Sequence, residues 1–202
     1  MPHDTRNIIQ QENARLKDEN NRLKQELNTL RGFVSILTEL ADIASSVTSD
    51  EELMPTLRAI LVRAMDLLNA PDGSLSLADE TTNELVFVLV LGSLASQLEG
   101  YRLPADEGIA GWVYKNRQPA LVRDARRDQR FFAEVDEKFR FKTQSVAAAP
   151  LIGNGKAFGV VEVLNQPGDD PFSEVDMALL NLLCRFAGEA LADIEARESS
   201  QS

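Results

Sequence analysis

At 202 residues the chain fits one ordinary domain plus an extension. A composition of 44% hydrophobic and 26% charged residues suits a buried core, and a formal charge of −11 argues against a nucleic-acid or anionic-membrane binder, since both need a basic face. The single cysteine, Cys184, and single histidine, His3, exclude an internal disulfide and any multi-Cys or multi-His metal site, and leave Cys-His or Ser-His catalysis without a credible base.

The first 31 residues carry six basic and five acidic side chains, so the remainder holds the charge excess, 15 basic against 27 acidic. Ile9, Leu16, Leu23, Leu30 and Leu37 recur at intervals of seven, and Asn13, Asn20, Leu27 and Val34 each follow one of them by four. These read as d and a positions over about four heptads and predict a parallel homodimeric coiled coil. Glu19 and Glu26 fall at g, Lys24 and Arg31 at the following e, which pairs them across a parallel dimer. The Asn residues at a cost stability and favour an in-register dimer, because each amide is satisfied by its own copy. The interface is therefore expected at Ile9, Asn13, Leu16, Asn20, Leu23, Leu27, Leu30, Val34 and Leu37, within a coiled-coil helix at 1–32. No apolar run approaches the ~20 residues of a membrane span. The N-terminus leads into polar helix rather than an apolar signal core, so a cytoplasmic protein is expected.

From residue 33 the pattern turns apolar on more than one face, and the helix is expected to continue into the globular part. Ser49 and Glu52 form a capping box for a second helix running to about Leu68, with Leu53, Leu57, Ile60, Leu61, Met65 and Leu68 inward and Pro55 in its early turns. Strands are predicted at 74–78, 85–91, 101–103 and 120–122, with a loop at 92–100 and a short helix at 108–116. Residues 124–143 read as a long charged and aromatic loop with one helical turn. Strands at 145–151 and 157–164 are joined by Gly153-Asn154-Gly155-Lys156, which reads as a hairpin turn rather than a phosphate loop, since Ala157 follows the lysine. A final helix runs from Ser173 to near Arg197, with Cys184 packed within it, and a tail follows at 196–202. Arg123, Arg126, Arg127 and Arg130 are interleaved with Asp124 and Asp128, which favours local ion pairing over a phosphate site. No catalytic constellation emerges, and the chain is read as a non-enzyme needing no cofactor or metal.

Several runs resemble the GAF domain: Leu103-Pro104-Ala105-Asp106-Glu107-Gly108-Ile109-Ala110-Gly111-Trp112, Asp124-Ala125-Arg126-Arg127-Asp128, Phe141-Lys142-Thr143-Gln144-Ser145, and Phe158-Gly159-Val160-Val161-Glu162-Val163-Leu164-Asn165. The resemblance covers about residues 33–195 and implies an α+β GAF fold, a central antiparallel sheet with helices on both faces. It also implies a small-molecule pocket and a sensory or regulatory role, often dimeric. Within the family the chain is similar to the cyclic-nucleotide phosphodiesterase and adenylate-cyclase members. Their signature of Asn-Lys, a spacer, Phe, three residues and Asp-Glu is met by Asn165, Phe172 and Asp176, while Gln166 and Met177 replace its lysine and glutamate. The signature's Lys–Asp ion pair therefore cannot form. Bilin, methionine-sulfoxide and iron chemistries of the family need cysteines, histidines or ligands that this chain lacks.

The resemblance implies ligand contacts at Ile109 and Ala110, whose backbone would receive a phosphate, and at Phe132, Asp136, Phe139 and Thr143, which would close over the ligand. Phe139 stands where a threonine would reach the ligand and is expected to fill that volume. Val90 stands where a guanine-binding member carries an aspartate, so tight cyclic GMP binding is not expected. The leading expectation is a homodimeric signalling or regulatory module that senses a small ligand, or couples shape to its coil, and acts on a separate partner or within a longer protein. The alternatives are a structural dimer with a self-filled pocket and a cyclic-nucleotide-binding regulatory domain.

Overall fold

The computed structural model describes residues 12–13, 15–17, 19–24, 34, 38, 50–168 and 172–201. The chain divides into two compact units, residues 1–42 and 43–202. In the first, every described residue is helical. Asn13, Leu16, Asn20, Leu23 and Val34 are among them; Ile9, Leu27, Leu30 and Leu37 lie outside the described residues. Leu16, Leu23 and Val34 are exposed in the single chain.

The second unit is built on one six-stranded sheet. Helix α1 (Asp50–Leu67) precedes β1 (Asp72–Asp79) and β2 (Glu84–Leu91), the one-turn helix α2 (Ala95–Leu98) and β3 (Arg102–Pro104). Helix α3 (Gly108–Asn116), β4 (Ala120–Val122), a 3-10 turn (Ala125–Arg127) and α4 (Ala133–Phe139) follow, then β5 (Val146–Gly153), β6 (Lys156–Leu164) and α5 (Glu174–Gln201). The strand order is β3-β2-β1-β6-β5-β4, and every neighbouring pair is antiparallel.

Both helical layers follow from side-chain periodicity. In α1, Leu57, Ile60, Leu61 and Ala64 repeat at three- and four-residue steps and are fully buried. Helix α1 packs on β1 and on α5, and α5 packs on β5 and β6. On the opposite face α3 packs on β5 and β6, where Val146, Ala148 and Val160 meet Ile109, Ala110 and Val113. Alternation along the strands separates the layers: Gly73 of β1 faces Met65 and Leu61 of α1, so Ser74 points to the other side.

One irregularity decides what that other side contains. Leu75 pairs with Leu89, but Ser76 pairs with Phe87, so Val88 is an extra residue in β2. The bulge reverses the parity of the strand, and Leu85, Phe87 and Val90 share the face turned away from α1. The β5–β6 turn is the hairpin expected: Asn154 and Gly155 both have positive φ, 47° and 75°, as the two-residue primed turn requires.

The segment 124–143 is more ordered than one helical turn, holding the 3-10 turn and the seven-residue α4. The loop expected at 92–100 contains α2. Helix α5 continues to Gln201, through the residues read as a tail. The first two departures share a cause: α2 and α4 are too short to show a helical period and are held by tertiary packing of Leu94, Leu98, Val135 and Phe139.

Candidate functional site

Between the β1–β2–β6 face, the first turn of α3 and the segment carrying α4 lies a cavity of about 90 Å³. Phe87 and Val90 of β2, Ser74 of β1 and Glu162 of β6 form its floor. Gly108, Ile109 and Ala110 at the head of α3 form one wall. Gly108 has φ +74°, so glycine fits the turn into α3, and a Cβ there would touch Phe132 of the roof. Phe131, Phe132, Val135, Asp136, Phe141 and Thr143 complete the roof.

The roof is fastened at three points. Asp136 is buried and accepts both the Thr143 backbone N–H at 2.9 Å and the Thr143 hydroxyl at 2.6 Å. The Arg126 guanidinium approaches the same carboxylate from outside at 3.5 Å. At the other end Phe139 meets Tyr101 edge-on at 5.2 Å, and the Lys138 ammonium sits 4.3 Å from the Tyr101 ring centre. The third fastening is Asn165, whose side-chain oxygen accepts the Gln144 N–H and whose amide donates to the Lys142 carbonyl.

Of the residues expected to contact a ligand, Val90, Ile109, Ala110, Phe132, Asp136 and Thr143 all line this cavity. Phe139 does not. Its ring is drawn outward onto Tyr101, and the aromatic volume in the cavity comes from Phe87, Phe131, Phe132 and Phe141 instead. The arginine patch pairs as its interleaved aspartates suggested: Arg127 with Asp124 at 3.2 Å, and Arg130 with Asp128 at 2.7 Å. The Arg130 guanidinium also stacks 4.5 Å from the Trp112 ring and holds the Asp128 carboxyl below the usual carboxylate range.

The residue that sequence reasoning passed over is Glu162. It lies in the strand expected at 157–164 and pairs in register with Ser74 on one side and Ala148 on the other, which turns it to the cavity face. Among the described residues it has no hydrogen-bond or ion-pair partner, and burial pushes its carboxyl up from 4.5 to about 7. A lone acidic residue within Val160-Val161-Glu162-Val163-Leu164 was the available signal. Cys184 is fully buried in α5, and burial pushes its thiol up, away from reactivity.

Residues 52–191 match the family described as GAF domain. The chain belongs to the GAF domain family. Among curated relatives it is 26% identical over 174 residues to the dual 3′,5′-cyclic-AMP and -GMP phosphodiesterase 11 of Drosophila melanogaster, which covers 79% of this chain and 12% of that protein. It is also 26% identical over 172 residues to the dual phosphodiesterase 11A of Takifugu rubripes, covering 79% of this chain and 19% of that protein. The chain thus spans a small part of these relatives, and the match takes in their GAF portion. Among solved structures, the GAF domain of a phosphoenolpyruvate-protein phosphotransferase from Coxiella burnetii superposes with a TM-score of 0.71 at 20% identity, covering 83% of this chain and 96% of that one. Free methionine-R-sulfoxide reductase from Neisseria meningitidis superposes with a TM-score of 0.67 at 18% identity, covering 82% and 91%. These likenesses show the GAF fold. GAF domains are regulatory and ligand-sensing modules, a role that fits signalling.

The signature residues of the phosphodiesterase-like GAF domains have structural partners here. Asp176 accepts the Ser173 N–H at 2.8 Å and receives the Ser173 hydroxyl, while its own N–H donates to that hydroxyl, a capping box at the start of α5. Gln166, in the lysine's place, donates to the Leu68 carbonyl at 3.0 Å and ties the end of β6 to the end of α1. Phe172 is fully buried. No helix of the described residues is long and apolar enough to cross a membrane.

Proposed function

We propose that this GAF domain is a non-enzymatic, cytoplasmic signalling module that binds a small ligand in the cavity under α4. In this reading it works as a homodimer through a parallel N-terminal coiled coil, which carries the state of the cavity to a separate signalling partner or a further domain. The observation that carries the reading is the roofed cavity itself, with the Asp136–Thr143 latch closing it. A latch built from a buried carboxylate and two donors makes a roof with two discrete states, fastened or open, and ligand occupancy biases such a pair of states. The contacts proposed for the ligand are Val90, Ile109, Ala110, Phe132, Asp136, Thr143 and, added from the geometry, Glu162.

The structural dimer with a self-filled pocket is the second reading, and one observation favours it. Four phenylalanine rings line the cavity and leave about 90 Å³. Cyclic-nucleotide binding fits less well, because the lining includes Asp72, Glu107, Asp136 and Glu162 and no lysine, arginine or histidine to meet a phosphate. Native mass spectrometry of freshly purified protein separates the readings. The sensing reading expects a dimer heavier than twice the 22.3 kDa chain, with the excess lost on denaturation. Bare polypeptide mass from cells and from lysate-supplemented samples would leave the self-filled dimer.

A further inference from the structure

The cavity is an apolar box with one unanswered polar wall. Its ring-bearing residues, Phe87, Phe131, Phe132 and Phe141, and its aliphatic ones leave six polar side chains, Asp72, Ser74, Glu107, Asp136, Thr143 and Glu162, and three of them are already engaged. Asp72 accepts the Ser93 N–H and hydroxyl, both at 2.7 Å. Asp136 is taken by Thr143 and Arg126. Ser74, Glu107 and Glu162 are left with no side-chain partner among the described residues; Glu107 is exposed, whereas Ser74 and Glu162 are paired in register on adjacent strands and both line the cavity. A carboxylate set against an apolar wall with no donor in reach is costly unless something supplies the donor or the opposite charge.

We infer that the ligand is a small monocation with an apolar body, a short alkylammonium, its charged head on Glu162 and Ser74 and its body among the phenylalanine rings. This inference rests on the sensing reading above and names the ligand class for that site. Charge supports it from every side that faces Glu162. Asp72 and Ser74 come from β1, Glu107 from the head of α3 and Asp136 from α4; β2 and β5 contribute only apolar residues to the lining. Arg126, whose guanidinium pairs with the lining residue Asp136, is exposed and does not itself line the cavity. Phenylalanine faces attract an ammonium and repel an anion, so the rings add to the same selection. Size sets the scale: an apolar cavity of ~150 Å³ holds a benzene, so this one, at about 90 Å³, admits a ligand of about four heavy atoms with the roof fastened. The raised carboxyl of Glu162, about 7, adds a pH signature, since the carboxylate must ionise to pair with the ammonium.

Calorimetry on the full chain tests this with three probes that share an isopropyl body: isopropylamine, isopropyl alcohol and isobutyrate. The amine should bind at least about tenfold tighter than the alcohol, the carboxylate should not bind, and amine affinity should rise from about pH 6 to about pH 8. Glu162→Gln should remove both the preference and the pH dependence. It keeps side-chain shape, and a second variant, Ser74→Ala, should weaken amine binding by a smaller factor with Glu162 intact. Equal or tighter binding of alcohol or carboxylate overturns the cation while leaving a ligand-binding cavity in place. Unchanged amine binding by Glu162→Gln overturns the anchor. No binding of any probe up to about 10 mM overturns the inference outright. The sensing reading falls with it only if the native mass spectrum also shows bare polypeptide.

Discussion

Glu162 makes the stability of the protein depend on pH in an unusual direction. Its carboxyl is raised from 4.5 to about 7 in the folded state, so between those values the folded protein holds a proton that the unfolded chain has released. The stabilisation is fully present below about 4.5 and is lost as pH rises through about 7, the reverse of an ion-paired carboxylate. Glu162→Gln should flatten this term, so the variant should gain on the parent by about 1–3 kcal/mol between pH 5 and pH 8 in denaturant titrations. A parallel pH dependence for both proteins would show the carboxyl to be well solvated. Asp136 is the opposite kind of residue, with both oxygens in use. Asp136→Ala should cost about 1–3 kcal/mol by leaving the Thr143 donors dry, and hydrogen exchange should speed up across 128–143 more than in the sheet. Six of the seven residues expected around a ligand do line the cavity, because strand and helix parity fixed their direction. Phe139 is absent from the lining because a ring's direction on a short helix depends on Tyr101, a contact distant in sequence that no local pattern reveals.

Strands and long helices were legible because burial imposes a period on them; the contacts between elements were not. The clearest case is the crossing of α5 over β5. An added Cβ on Gly153 would strike the Gly188 carbonyl oxygen, and one on Gly188 would strike the Ile152 carbonyl oxygen. The helix backbone therefore lies directly on the strand backbone, and the two glycines are each other's reason. In the sequence Gly188 is only a helix-weakening residue inside Phe186-Ala187-Gly188-Glu189-Ala190. Propensity alone expects Gly188→Ala to stabilise α5 by up to about 1 kcal/mol. The packing expects the contrary, a loss of about 1–3 kcal/mol by overpacking, read from the denaturation midpoint. A stabilised variant would mean that α5 can lift from β5 without cost. The bulge at Val88 has the same character. A run as uniform as Leu85-Val86-Phe87-Val88-Leu89-Val90-Leu91 carries no parity of its own, so only pairing with β1 shows that Phe87 and Val90 share a face.

At the scale of the whole molecule, the question is how a cavity of this size reaches an output, and the N-terminal heptads are the proposed route. Leu16 and Leu23, at d, are 50% and 52% exposed in the single chain, and Val34, at a, is 61% exposed. A helix that repeats exposed leucines every seven residues, between charged neighbours, gains by burying that seam against a second copy. Within one helix Arg15 pairs with Glu12 at 2.8 Å and with Glu19 at 3.5 Å. The Glu19–Lys24′ bridge of the proposed dimer must therefore compete with an intrahelical partner, and such exposed pairs contribute little either way. Stability of the proposed dimer would then rest on the a and d residues, and its specificity on Asn13 and Asn20. The expected outcome is a mass of twice 22.3 kDa by light scattering at micromolar concentration, with like-to-like crosslinking from Leu16→Cys. Replacing both Asn13 and Asn20 by Ile should raise the melting temperature of the dimer and admit higher oligomers, because the seam becomes uniformly apolar and no longer fixes strand number or register. A monomer at that concentration, or an antiparallel crosslinking pattern, would remove the coil as the route from cavity to output. The double Asn variant decides the finer point. If it melts higher and stays strictly dimeric, the two amides are not what sets the oligomeric state, and the β-branched Val34 and the leucines at d set it instead.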